Sequence, residues 1–333
     1  MNIRRRIAVV VLAFFTLTLM VLVFAPTVGS TPIALSKVFD RSLPWETNVD
    51  AQIFFVARLP RVMSGALVGA ALAAAGVVLQ AMLRNPLATP FTLGVSAGAA
   101  LGAMIAIALG LDVGALGVSS VPIASFIGSL IAIAIVYALA TSQRRGLSTN
   151  VLLLAGVTLN SFFSALILFV QYLSDFTQSF RAVRWMMGDL DVGNYRPIVA
   201  ALPFMIGAFA VFATLPRTLN LLTMGEDVAA ARGVEVASAQ RWAFFSASLA
   251  TGAAVSLAGP IGFVGIIVPH LVRLLVGSDH RIVLPAAALF GAAFTVLCDL
   301  AARTVMSPLE LPVGIITALI GGPFFLWLLV KRS

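Results

Sequence analysis

Ten apolar runs, each close to the length that crosses a bilayer, follow one another along almost the whole chain. They fall near 7–25, 59–82, 91–110, 119–141, 149–172, 196–214, 240–258, 262–277, 285–303 and 312–330, separated by Pro, Gly and clusters of charge. A helix needs about 20 apolar residues to span the hydrocarbon core. The runs are continuous rather than alternating, which argues against an outer-membrane barrel. Only 10% of the residues are charged and mean hydropathy is +1.06, whereas a soluble domain carries about 25% charge. The expected fold is an all-α polytopic membrane protein of about ten transmembrane helices, forming a single transmembrane domain over 1–333.

The net charge of +8 comes from arginine, since Lys37 and Lys331 are the only lysines. No soluble basic domain exists to hold nucleic acid, so the charge is assigned to membrane flanks in contact with lipid. The stretch Ile7–Ala25 reads as a retained first span with Arg4, Arg5 and Arg6 in the cytoplasm. An even span count then places both termini there, together with Arg84, Arg144, Arg145, Arg217, Arg232 and Arg281. Arg58, Arg61, Arg181, Arg184, Arg196 and Arg303 fall at outer ends, against the topology rule. Snorkelling or a local pair such as Asp299 with Arg303 at i, i+4 is one reason. A docking surface for an acidic partner is the other.

Small residues recur at helical spacing: Gly65 and Gly69; Gly94, Gly98 and Gly102; Gly314, Thr317 and Gly321. In lipid these let helix backbones approach closely. Asn160, Ser164 and Gln171 share one face of the fifth span. Polar groups at that depth meet either a cavity or another helix. Between the sixth and seventh runs, "LNLLTMGEDVAAARGV" (219–234) is amphipathic, with Asn220, Glu226, Asp227 and Arg232 between Gly225 and Gly233. Acidic residues at its start, Arg232 near its end and Gly233 at the C′ position predict a short helix.

Chemistry-bearing constellations are sparse. Cys298 is the only cysteine, and His270 and His280 are the only histidines, so no metal site is expected. "GPIGFVGIIVPH" (259–270) lacks the βαβ context of a dinucleotide site, and Pro260 and Pro269 suggest a broken membrane segment instead. No P-loop occurs, so any ATP is hydrolysed elsewhere. No catalytic residues or bound cofactors are expected. A proton-coupled secondary transporter of small molecules remains the alternative, with Asp299 as its candidate carboxylate.

"RLPRVMSGALVGAALAAAGVVLQAMLRNPLATPFTLGVSAGAALGA" (58–103), "NLLTMGEDVAAARGV", "AGPIGFVGIIVPHLVRLLVGSDHR" and "ELPVGIITALIGGPFFLWLL" occur in this order. Together they resemble the motifs of the FecCD family, permeases of iron–siderophore and cobalamin ABC importers. The resemblance runs from about residue 55 to the C-terminus. It implies a type II importer permease in the bacterial inner membrane, importing a ferric siderophore, or else cobalamin or haem. The permease would work as a homodimer with two ATPase subunits, which use the ATP and Mg, and a periplasmic binding protein. It further implies docking of the binding protein on Arg58, Arg61 and Arg303. A coupling-helix loop at about 216–238 would seat Leu221, Leu222, Met224, Gly225, Glu226, Asp227, Ala230, Arg232 and Gly233 in the ATPase. Gates would lie at Asn85, Pro86 and Leu87 and at Leu147, Ser148 and Thr149. The fifth and tenth helices, carrying Asn160, Ser164 and Gln171 and then Gly314 and Thr317, would line the path.

Overall fold

The computed structural model describes residues 3–111, 118–142 and 148–332. Helices account for each of the ten apolar runs: α1 (Ile3–Phe24), α2 (Leu59–Met82), α3 (Val95–Ala108), α4 (Ser120–Thr141) and α5 (Thr149–Leu173), then α6 (Arg196–Thr214), α7 (Val236–Ala258), α8 (Val264–Val276), α9 (His280–Ala302) and α10 (Val313–Arg332). Among the described residues, six stretches are long and apolar enough to cross a membrane: 3–27, 49–82, α4, α5, α6 and α9. At 14 and 13 residues, α3 and α8 are shorter apolar helices. The long α7 is less apolar because its buried Ser246, Ser248, Thr251 and Ser256 face protein rather than lipid.

α2 is the axis of the bundle. From Ala71 to Met82 every residue is buried, and α7, α8 and α9 pack around it. α3 and α4 pack tightly together beside α7, α5 lies against α3, and α1 covers α9. The Ala/Gly-rich helices α2 and α7 pack side by side.

Glycine sets the closeness of these crossings. A Cβ at Gly76 would collide with the carbonyl oxygen of Gly265 on α8, and one at Gly102 with that of Ala124 on α4. Gly207 on α6 has nothing within 4 Å of the same position. Gly76→Ala is therefore expected to cost about 1–3 kcal/mol, as overpacking does, and to lower the unfolding temperature in detergent. Gly207→Ala, scanned in parallel, should show no loss.

Some boundaries differ from the sequence expectation. α9 begins five residues before Pro285, because the Asp279 carboxylate accepts from the Arg281 amide at 3.0 Å and caps the helix earlier. A 3-10 turn, Pro90–Leu93, precedes α3 and delays its start to Val95. The break expected around Pro260 occurs at 259–263, where Gly259 and Phe263 both have positive φ; Pro269 lies inside α8. A further helix, Phe176–Met186, follows α5. Its signal was readable: Asp175 and Gln178 form a reciprocal capping box.

Candidate functional site

Two polar clusters lie at opposite ends of α9. At one end, Asp299 and Arg303 stand one turn apart, as the i, i+4 spacing predicts. Arg61, in the first turn of α2, crosses to the same carboxylate: its Nε donates to Oδ1 at 2.9 Å and Oδ2 at 3.1 Å. Its Nη1 donates at 2.5 Å to Glu310, in the segment leading to α10. Arg303 donates through Nη2 to the Ala25 carbonyl at 2.9 Å. Its Nε makes no hydrogen bond and has only Asp299 Oδ2 at 3.5 Å. Arg58, just before α2, donates to the carbonyls of Pro26 and Thr31.

These arginines are not the free surface charges that a docking reading pictures. Arg58 is 6% exposed, Arg303 2% and Asp299 1%. Ions this far from water are tolerated because they are paired and hydrogen-bonded to carbonyls. A cavity of about 220 Å³ nevertheless reaches them, lined by Arg58, Arg61, Arg303, Asp191 and Glu310 among others. With Asp299 beneath, the ion pairs of this cluster join Arg61 to Asp299 and Glu310, and Arg303 to Asp299. Of the other arginines expected at outer ends, Arg181, Arg184 and Arg196 are exposed.

At the other end of α9, Asn220 acts as a clasp. Its Nδ2 donates to Asp279 Oδ1 at 2.8 Å, and its Oδ1 accepts from the His280 amide at 2.9 Å. His280 Nδ1 is 2.7 Å from the same Oδ1, so that nitrogen carries the ring proton. Hydrogen bonds from Arg281, and then from Asn220, hold the Asp279 carboxyl well below its usual range. Asn220 belongs to a short helix, Pro216–Leu222, and a second one, Glu226–Ala231, follows it.

The second short helix ends as its glycine predicts. Gly233 has φ +81°; its amide donates to Ala230 O at 2.9 Å, and the Val234 amide to Ala229 O at 3.0 Å, a Schellman closure. Of the residues assigned to coupling, Leu222 is buried and Leu221 half-buried. Gly225, with φ +120°, forms the turn between the two helices. Met224, Asp227, Ala230, Arg232 and Gly233 are exposed. Glu226, its side chain 43% exposed, accepts from Gln240 at 3.1 Å and Arg84 at 3.4 Å. That contact, which the sequence does not reveal, ties the short helix to the segment entering Asn85, Pro86 and Leu87. There Asn85 Oδ1 accepts from the Leu87 amide at 2.9 Å, and Leu87 is exposed.

Of the second gate, Leu147 lies outside the described residues. Ser148 caps α5 by accepting from the Val151 amide at 3.4 Å, and Thr149 begins the helix. Of the polar face of α5, Ser164 is exposed and Gln171 half-buried. Asn160 donates to the Phe91 carbonyl at 2.8 Å and so binds α5 to the turn before α3. In α10, Gly314 lies against the Met187 carbonyl. Thr317 is buried and bonds back to Gly314 O at 3.1 Å. No group of three or more His, Cys, Asp or Glu that could hold a metal occurs among the described residues.

Comparison with known proteins gives this arrangement a context. The sequence profile described as the FecCD transport family matches residues 17–331. The cobalamin import system permease protein BtuC of Halobacterium salinarum is 47% identical over 90% of this chain and 79% of its own length. The hemin transport system permease protein HmuU of Yersinia pestis is 36% identical over 94% of each chain. The Fe(3+) dicitrate transport system permease protein FecD of Escherichia coli is 38% identical over 82% of this chain and 84% of its own. A solved metal-chelate type ABC transporter in an inward-facing conformation superposes with a TM-score of 0.84 at 32% identity, covering 96% of this chain and 98% of that one.

Proposed function

This chain belongs to the FecCD transport family and is the permease of a metal-chelate type ABC importer, and we propose that its cargo is a chelate of the ferric siderophore, cobalamin or haem class. It works as a homodimer in the bacterial inner membrane with both termini in the cytoplasm. Two ATPase subunits hydrolyse ATP with Mg, and an extracytoplasmic binding protein delivers the chelate. The permease binds no cofactor of its own.

The observation that carries this reading is the pair of polar clusters at opposite ends of α9. The arginine-lined cavity suits a carboxylate of the docked binding protein. The clasped short helices beyond Asn220 suit the ATPase. Exposed apolar side chains on α5 and α10, such as Leu154, Phe169, Leu319 and Trp327, support a second copy across the translocation path. Differential contacts in two states, rather than any covalent step, drive passage. The carboxylate on which a proton-coupled carrier would depend, Asp299, is held between Arg61 and Arg303, so that alternative gains nothing from the structure.

The test is uptake by proteoliposomes holding the permease, its ATPase and the binding protein, with radiolabelled cobalamin, haem and ferric siderophores supplied in turn. Uptake of one class that requires ATP is expected. Uptake by the permease alone under a pH gradient would overturn the reading. Docking itself should be salt-sensitive, since the Debye length shrinks from about 30 Å at 0.01 M to about 3 Å at 1 M salt. Equal affinity of the binding protein across that range would remove the arginine cluster from the docking role.

A further inference from the structure

We propose that Glu310 is a tethered stand-in for the carboxylate of the docking partner, holding the outer arginine cluster closed until that partner displaces it. The inference rests on the docking role assigned to this cavity and adds the event that docking must cause.

Three carboxylates lie in or beneath the cavity of Arg58, Arg61 and Arg303, and they are not equivalent. Asp299 projects from a membrane helix, is 1% exposed and serves two arginines at once. Asp191 lines the cavity, but its carboxylate accepts from the Gly193 amide at 3.2 Å within its own loop. Glu310 alone combines a direct bond to a cluster arginine, at 2.5 Å from Arg61 Nη1, with a half-open side chain on a connecting segment. It is thus the carboxylate that a competitor from outside can replace without dismantling a helix.

The cluster has room and bonding capacity for that competitor. The cavity of about 220 Å³ opens beside Glu310, and Arg303 Nε has no hydrogen-bond acceptor. Removing Glu310 with nothing in its place would leave Nη1 of the largely buried Arg61 without its acceptor, which is costly. Release and docking are therefore one exchange: the partner's carboxylate enters as Glu310 leaves.

The consequence lies in what Glu310 is attached to. Leu311 is anchored by its amide to the Ala302 carbonyl at 3.0 Å, and α10 starts at Val313. Gly314 in the first turn of α10 presses on the Met187 carbonyl. Freeing Glu310 loosens the segment that positions this end of α10, so docking and the state of the outer path are linked through a single side chain.

The test uses the complete permease–ATPase complex in nanodiscs and the purified binding protein that loads it. Glu310→Gln should tighten docking about five-fold, the scale of one half-exposed ion pair. A nitroxide at Leu309→Cys, a position 67% exposed, labels selectively because the single native cysteine, Cys298, is buried. It should be mobile without partner in the Glu310→Gln background, and in the unaltered background only once the binding protein docks. Unchanged or weaker docking in Glu310→Gln, with salt sensitivity retained, overturns this inference alone. A label equally mobile in both backgrounds before docking also overturns it. Salt-insensitive docking instead overturns the docking role on which it rests.

Discussion

Replacing Asp299 with alanine should lower the unfolding free energy of the permease by about 3–5 kcal/mol, the cost of removing one partner from a buried ion pair. Asp299 is the shared carboxylate of Arg61 and Arg303, joining α2 to α9 across 238 residues of sequence. After the substitution Arg61 retains Glu310, but Arg303, 2% exposed, retains only the Ala25 carbonyl. The loss is then the desolvation of an unpaired guanidinium rather than the worth of one bond. Two companion variants separate these terms. Asp299→Asn keeps the shape and accepts hydrogen bonds without charge, so it should fall between the parent and the alanine variant. Asp299→Leu combined with Arg303→Leu removes both ions and should recover much of the stability. Unfolding of the detergent-solubilised protein, followed by heat and by steric trapping in bicelles, reads all three. A loss within the range of about 0–1 kcal/mol, as for an exposed pair, would mean that water reaches Asp299 and that the cluster is not sealed.

The helices were legible because a bilayer leaves few alternatives. A long apolar run must satisfy its backbone internally, so each became a helix within a few residues of its expected place. The Asp299–Arg303 spacing and the C′ role of Gly233 were legible for a related reason: both depend on contacts within one turn of helix. What could not be read depends on which helices become neighbours. Arg58 looked like a free outer charge, yet the fold brings the Pro26 and Thr31 carbonyls onto it. Asn160 reads as a polar residue on one face of α5, and the fold supplies the Phe91 carbonyl as its partner. Glu226 reads as an ATPase contact, and the fold adds bonds from Arg84 and Gln240 to its half-exposed side chain. Family motifs marked each of these regions without saying which side chains point outward. The helix Phe176–Met186 differs, since "DFTQ" spells a capping box at its start although no apolar run marks it.

Ala230→Trp should cut ATP-driven uptake at least about ten-fold while leaving the permease folded and able to dock its binding protein. The fold-change follows from overpacking a close interface, which costs about 1–3 kcal/mol, with about 1.4 kcal/mol per factor of ten. The argument rests on the separation of inner and outer faces in the short helix Glu226–Ala231. Its inner face is engaged: Ala229 is buried, Glu226 bonds to Gln240 and Arg84, and Val234 closes the helix onto Ala229. Its outer face, with Val228 and Ala230, is exposed, as is Met224 just before it. Bulk at Ala230 therefore meets only what lies outside, which in the proposed assembly is the ATPase. Glu226→Gln keeps the size and one acceptor on the inner face, so its effect on uptake should be much smaller. Thermal unfolding verifies that both variants fold, and pull-down of the ATPase with ATP-hydrolysis rates separates lost assembly from lost coupling. Normal uptake by Ala230→Trp would move the ATPase contact away from this helix. Equal loss in both variants, with lowered stability, would reduce the helix to a structural brace on Arg84 and the neighbouring Asn85 turn.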